Sequence, residues 1–261
     1  MNAPAKAAPP LLEVDGATIQ YETDAAVVVA VYRVSFAVEQ GERLMVLGRS
    51  GCGKSTLLKA IGGYLQPFEG SIALNGVPVH APGPDRMIVW QDTDQLLPWK
   101  TVRENVLYPM QLSGVPRNEA RERADTFIRK VDLDRAADHY PHQLSGGMKM
   151  RVAVARGLAM KPAVLLMDEP FGALDALTRA RMQDELLGLQ EETGATLVFV
   201  THDIAEAATL GTRVIVLSPH PGRVKANLDA SRFKTRDELR ETIGAVIHDD
   251  DDDDHNGEVR P

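Results

Sequence analysis

The 261-residue sequence predicts an α/β fold, a mostly parallel sheet covered on both faces by helices. Three observations carry that expectation. Short apolar runs alternate with helical stretches through the second half of the chain. A glycine-rich loop, residues 48–53, stands between an apolar run and an amphipathic stretch. A second apolar run, Val164-Leu165-Leu166-Met167, ends in two carboxylates, Asp168 and Glu169.

The elements follow in order. Residues 1–10 are rich in Pro and Ala and are expected to be disordered. From Leu11 the pattern is strand-like, and Val34, Phe36 and Val38 alternate with Ser35 and Ala37 at a period of two. After a turn over 39–42, Leu44-Met45-Val46-Leu47 reads as a buried strand. A helix opens at Lys54, with Leu57, Leu58 and Ile61 on one face. Asn75-Gly76 reads as a two-residue hairpin turn, because both residues tolerate positive φ. Residues 105–160 are mainly helical. Val164–Met167 and Thr196–Val200 are strands separated by a helix over 178–193, for which Gly194 is a left-handed stop. A further strand covers 213–218. The last helix spans 235–248, with Thr235 and Glu238 at capping-box spacing and Leu239, Ile243, Val246 and Ile247 on a common face.

Composition narrows the function. Hydrophobic residues make up 44% and charged residues 25%, which suits a soluble domain with a real core. Lys and Arg number 29 against 37 Asp and Glu, a net charge of −8. Seven of the acids lie beyond His248, so the remainder is close to neutral and no nucleic-acid partner is expected. The longest apolar stretch, 25–32, is far short of the roughly 20 residues that a spanning helix needs. The first ten residues lack a signal-peptide core, so export is not expected. The single cysteine, Cys52, excludes an intramolecular disulfide and a multi-cysteine metal site, and it suits a reducing cytoplasm. Six consecutive aspartates, 249–254, repel one another, and residues 249–261 are expected to form a solvated, disordered tail rather than a metal site.

Gly48-Arg49-Ser50-Gly51-Cys52-Gly53-Lys54-Ser55 fits the phosphate-loop pattern at every fixed position, with a strand before it and a helix after it. Glycines let the backbone wrap a phosphate and aim N–H groups at it, and the helix N-terminus adds partial positive charge. The nucleotide-binding set is therefore Gly48, Ser50, Gly51, Cys52, Gly53, Lys54, Ser55 and Thr56. Lys54 is expected on the β- and γ-phosphates and the Ser55 hydroxyl on Mg²⁺. Cys52 reads as a small filler of a variable position rather than a redox switch. Asp168 is expected to hold the metal, and Glu169 to polarise the attacking water.

With these two motifs in place, Leu144-Ser145-Gly146-Gly147 between them resembles the signature of ABC-type ATPases. Gln91, Asp175 in Gly172-Ala173-Leu174-Asp175, and His202 in Thr201-His202-Asp203 stand where that family has its Q-loop, D-loop and switch histidine. Tyr21 is placed like the aromatic that stacks on adenine, although a strand tyrosine can equally be a packing residue. The resemblance covers residues 11–228. It implies a P-loop NTPase fold with a mostly parallel core sheet, an antiparallel β-subdomain and a helical subdomain over about 92–162. A C-terminal helical extension would follow over 229–248.

The resemblance also implies a mechanism, in which two copies clamp two ATP molecules. Each site would join Lys54 of one copy to Ser145, Gly146 and Gly147 of the other, with Asp175 nearby. Glu169, His202 and Gln91 would serve catalysis, and Ser55, Gln91 and Asp168 the Mg²⁺. Met148-Lys149-Met150 stands where many members have Gln-Arg-Gln, and Trp90 precedes Gln91.

The stretches Leu96-Leu97-Pro98-Trp99 and 217–224 are similar to the ATP-binding subunits of nitrate, sulfonate and taurine importers. In that group the partners are a separate membrane permease and, indirectly, an extracytoplasmic solute-binding protein. The resemblance implies an ATPase held at the cytoplasmic face of the membrane by its permease. Leu96, Leu97 and Trp99 are either a docking surface for that permease or packing within the helical subdomain. A soluble ABC-type regulator is the alternative function, disfavoured by the single motif set.

Overall fold

The computed structural model describes residues 9–22 and 26–254. Most of the expected N-terminal tail and residues 255–261 of the acidic tail lie outside the described residues. The chain opens with β1 (Leu12–Glu22) and β2 (Val27–Val38), then enters the core with β3 (Arg43–Leu47) and α1 (Lys54–Ile61). β4 (Glu69–Leu74), β5 (Val77–Pro78) and β6 (Arg86–Val89) follow. Three helices come next: α2 (Val102–Leu112), α3 (Arg117–Lys130) and α4 (Gly146–Ala159). β7 (Val164–Asp168), α5 (Ala176–Thr193), β8 (Thr196–Thr201) and α6 (Ile204–Leu210) return to the core. β9 (Arg213–Leu217), β10 (Val224–Asp229) and α7 (Arg236–Asp254) complete it.

Two sheets result. The smaller is antiparallel, in the order β2-β1-β4-β5. The larger has the order β10-β9-β3-β8-β7-β6, and every pairing in it is parallel except that of β10 with β9. Its central strands alternate between two cores. Met45, Leu47, Leu165 and Met167 join the helices α2 to α7, while Leu44, Val46, Val164 and Leu166 face α1 and the smaller sheet. Burial on both faces is why these runs read as continuously apolar. β8 lies between β3 and β7, so the three segments that leave their carboxyl ends emerge side by side. Ligands of open parallel sheets bind outside that edge.

Local chemistry sets the turns as expected. Asn75 and Gly76 both have positive φ, 51° and 75°. Gly194 closes α5 in the left-handed conformation at φ 65°. The Thr235 hydroxyl accepts from the Glu238 N–H at 3.1 Å and starts α7, where Leu239 and Ile243 are fully buried. This helix is longer than expected. It runs past His248 to Asp254 and takes in backbone that the sequence assigned to a disordered tail. No Gly or Pro stands between Ala245 and Asp254 to stop it.

A capping box of Thr101 and Glu104 begins α2. One turn in, the fully buried Asn105 satisfies the loop that precedes the helix. Its Nδ2 donates to the carbonyls of Leu97, Lys100 and Thr101 at 3.0–3.1 Å, and its Oδ1 accepts from the Leu97 N–H at 2.8 Å. Residues 97–101 are thereby pinned. Leu96 packs inside the helical core, Leu97 is half-buried, and Trp99 projects with 70% of its surface exposed.

Candidate active site

The glycine-rich loop leaves β3 and ends at Gly53, whose φ of 97° requires glycine. A Cβ at Gly53 would also sit 2.5 Å from the Ala30 carbonyl oxygen. No side chain caps α1, so its first N–H groups point into the loop, where a phosphate can accept from them. Lys54 is buried and its Nζ donates to the carbonyls of Gly48 and Arg49 at 2.9 and 3.0 Å. The Ser55 hydroxyl donates to Asp168 Oδ1 at 2.8 Å. The Tyr21 hydroxyl donates to Thr56 Oγ1 at 2.9 Å, which brings the half-exposed tyrosine ring beside the start of α1. Ser50 and Gly51 form the exposed tip. Cys52 is buried, and desolvation pushes its thiol up, which favours the inert protonated form.

Asp168 ends β7 buried, and desolvation raises its carboxyl despite the bond from Ser55. Glu169 follows with a positive φ of 42°, an unusual state for a glutamate and one that clusters at active sites. That turn aims its carboxylate between two groups. Oε1 lies 3.7 Å from Lys54 Nζ, and Oε2 lies 2.9 Å from Nδ1 of His202, which leaves β8. His202 itself is largely exposed, so its other ring nitrogen is open to a ligand.

The remaining site residues stand around this group. A Cβ placed on Gly172, in the turn after Glu169, would lie 3.2 Å from Gln91 Nε2, so the glutamine reaches that turn. Asp175 is exposed and caps α5, accepting from the Leu177 and Thr178 N–H groups, and its bonding to Thr178 holds its carboxyl below the usual range. Ser145 caps α4, accepting from the Met148 N–H at 3.3 Å. Gly146 next to it has open space where a Cβ would be. Lys54, Glu169 and His202 thus form one bonded set, with the bonded pair Ser55 and Asp168 next to it in the chain, and the Ser145 hydroxyl is turned into its own helix instead.

Sequence reasoning missed the support beneath His202. Asp203 caps α6, accepting from Ala205 and Glu206, and its other oxygen meets Arg179 at 3.3 Å. Arg179 also donates to the Leu174 carbonyl at 3.2 Å. Glu206 is buried, accepts from the Thr201 hydroxyl at 2.7 Å, and has its carboxyl raised by desolvation. The Asp203-x-x-Glu206 spacing was the available signal.

Backbone amides around a phosphate, with a carboxylate and a histidine at its far end, are the apparatus of a P-loop nucleoside triphosphatase. Comparison with known proteins sharpens the class. Residues 31–172 match the family described as ABC transporter. The taurine import ATP-binding protein TauB of Rhizobium johnstonii is 46% identical over 258 residues, 93% of this chain and 98% of that protein. The nitrate import ATP-binding protein NrtC of Synechococcus elongatus is 48% identical over 82% of this chain, which spans 33% of that longer protein. Among solved structures, a dimeric ATP-binding cassette in a post-hydrolysis state with ADP and Pi superposes with a TM-score of 0.72 at 32% identity, covering 84% of this chain and 98% of that one. The chain belongs to the ABC transporter family, as one of its ATP-hydrolysing subunits.

Proposed function

We propose that this chain powers an importer of a small solute of the taurine, nitrate or sulfonate kind, with the permease as a separate membrane protein. Two copies would close on two ATP molecules at the cytoplasmic face of the membrane, and an extracytoplasmic binding protein would deliver the solute. Relatives named for taurine and nitrate import support this reading. So does the absence, among the described residues, of any helix long and apolar enough to cross a membrane.

The observation that carries the chemistry is the Glu169 carboxylate, set between Lys54 and His202 at the ends of three adjacent strands. Lys54 would leave its two loop carbonyls for the β- and γ-phosphates. Glu169 would accept a proton from the attacking water, and His202, oriented by that same carboxylate, would donate to the γ-phosphate. The Ser55 hydroxyl against the buried Asp168 carboxylate is a hard-oxygen pair whose negative charge desolvation disfavours, and a divalent cation suits it. Ser55, Asp168 and Gln91 would hold Mg²⁺, which when bound neutralises phosphate charge. Tyr21 would carry the adenine. Ser145, Gly146 and Gly147 would grip the γ-phosphate of the other copy, with Asp175 beside them.

The test is Glu169→Gln. It keeps every binding group and removes the proton acceptor, so steady-state hydrolysis should fall by about 100- to 10,000-fold while ATP still binds. Turnover within a few-fold of the parent would contradict the assigned role.

A further inference from the structure

The stretch after β9, Ser218-Pro219-His220-Pro221-Gly222-Arg223, has no part in the chemistry above, yet it packs against the phosphate loop. It closes on itself. The Ser218 N–H donates to the Arg223 carbonyl at 2.9 Å, and the Arg223 N–H donates to the Ser218 hydroxyl at 3.1 Å. It is then stitched to β2 by two backbone bonds, Gly222 N–H to the Ala30 carbonyl at 3.0 Å and Tyr32 N–H to the Gly222 carbonyl at 2.9 Å. Outside that seam the Arg223 guanidinium lies over the Tyr32 ring, 4.5 Å from its centre.

The inner side of the seam faces the nucleotide loop. A Cβ at Gly222 would fall 2.2 Å from the Cys52 carbonyl oxygen, and one at Gly53 would fall 2.5 Å from the Ala30 carbonyl oxygen. One layer back, a Cβ at Gly48 would lie 3.2 Å from the Leu217 carbonyl oxygen. The phosphate loop therefore rests backbone on backbone against β2 and the Gly222 turn. Glycine is needed at 222 for space, since its φ is not among the positive values.

We infer that Gly222 is a positioning residue for ATP binding: the bare backbone of the 218–223 turn is the seat that fixes the height of the Cys52–Gly53 peptide under the phosphates. The inference rests on the phosphate loop binding ATP, as proposed above. A methyl group at 222 forces a displacement of about 1 Å to restore ordinary contact. The turn is held by its own bonds and by two bonds to β2, so the displacement passes to the glycine-rich loop. Weakening the hydrogen bonds this peptide would give a charged phosphate costs binding about tenfold to a hundredfold. Glu169 and His202 follow β7 and β8 and are bonded to each other, so their one contact with the loop is the 3.7 Å approach of Glu169 to Lys54.

The experiment compares the full-length parent with Gly222→Ala and Arg223→Ala. Gly222→Ala should raise KM for ATP by about tenfold or more and leave kcat at saturating ATP within about threefold. Arg223→Ala removes the contact with Tyr32 but keeps the space at 222, and its KM should match the parent's. An unchanged KM in Gly222→Ala, or an equal rise in both variants, would overturn the inference. Hydrogen exchange on the parent covers the case in which Gly222→Ala does not fold. ATP should slow exchange at the Gly222 and Tyr32 amides together with Cys52 and Gly53. Slowing confined to the phosphate loop would count against a shared seat. A parent that binds no ATP would instead sink the nucleotide reading itself, and the two failures are distinct.

Discussion

The two ends that would meet a nucleotide are built in opposite ways. At the phosphate loop everything is supported from within the chain. Lys54 is buried on its own carbonyls, and Gly48 and Gly53 are crowded by Leu217 and Ala30. At the start of α4, the Ser145 side chain makes one bond inside its helix, and a Cβ at Gly146 would meet nothing within 4 Å. A loop that tight is complete in a single copy. A helix N-terminus with a single capping bond and open space at Gly146 keeps donors and room for a ligand that its own protomer does not supply. On the proposed reading, assembly and binding should therefore separate: the first end would bind, and the second would close.

Beyond Glu169→Gln, the largest expected effect breaks that contrast directly. Gly146→Leu fills open space in the isolated protomer, so folding and ATP affinity should stay within about twofold, the scale of a surface change. Hydrolysis should drop at least about tenfold, because the side chain occupies the space where the other copy's phosphates would lie. Equal losses of ATP affinity and turnover, measured by nucleotide titration and phosphate release, would erase the distinction between the two ends.

Trp99 extends the comparison to the proposed permease contact. It is held out by a loop that Asn105 pins, so little ordering remains to be done on docking. Trp99→Ala should leave basal hydrolysis intact and weaken association with the permease by about tenfold or more, as loss of an aromatic anchor does. Undiminished co-purification would remove the docking role.

A smaller effect probes the scaffold beneath His202. Burial raises the Glu206 carboxyl, so its protonated form stabilises the fold below the ordinary carboxylate range, and that contribution is lost as pH rises through the raised value. At neutral pH the ionised group is a burden that Glu206→Gln relieves, keeping an acceptor for Thr201. The melting temperature should rise by about 2–4 °C at pH 7.5, and the gain should shrink toward pH 5. A fall at pH 7.5 would mean that the ion pair of Glu206 with Arg179, 3.9 Å from Nε, outweighs desolvation. The smallest effect belongs to deletion of residues 249–261, which should change turnover by less than about twofold because none of the proposed site residues falls in that range. A large loss would give the tail a function.

What was legible in the sequence was what is local. The glycine loop between a strand and a helix, the Asn75-Gly76 turn, the Gly194 stop and the Thr235 cap each depend on neighbours within a few residues. The Asp168-Glu169 pair was legible because an apolar strand delivers it. Other features were hidden because distant backbone decides them. Leu96 and Trp99 look alike as apolar residues, and only the four bonds of Asn105 send one inward and the other out. The crowding at Gly222 depends on a carbonyl 170 positions earlier in the chain. The end of α7 is hidden because six adjacent like charges argue against a helix while the absence of Gly and Pro lets it continue. The places of Gln91, Ser145 and His202 came from resemblance and not from spacing.

The most direct measurement is the mass in solution of the Glu169→Gln protein, read by light scattering across a titration of ATP with Mg²⁺. The mass should shift from one copy to two as nucleotide saturates, return when ATP is removed, and stay at one copy when Gly146→Leu is added. Single copies at every ATP concentration, with the permease present as well as absent, would contradict it.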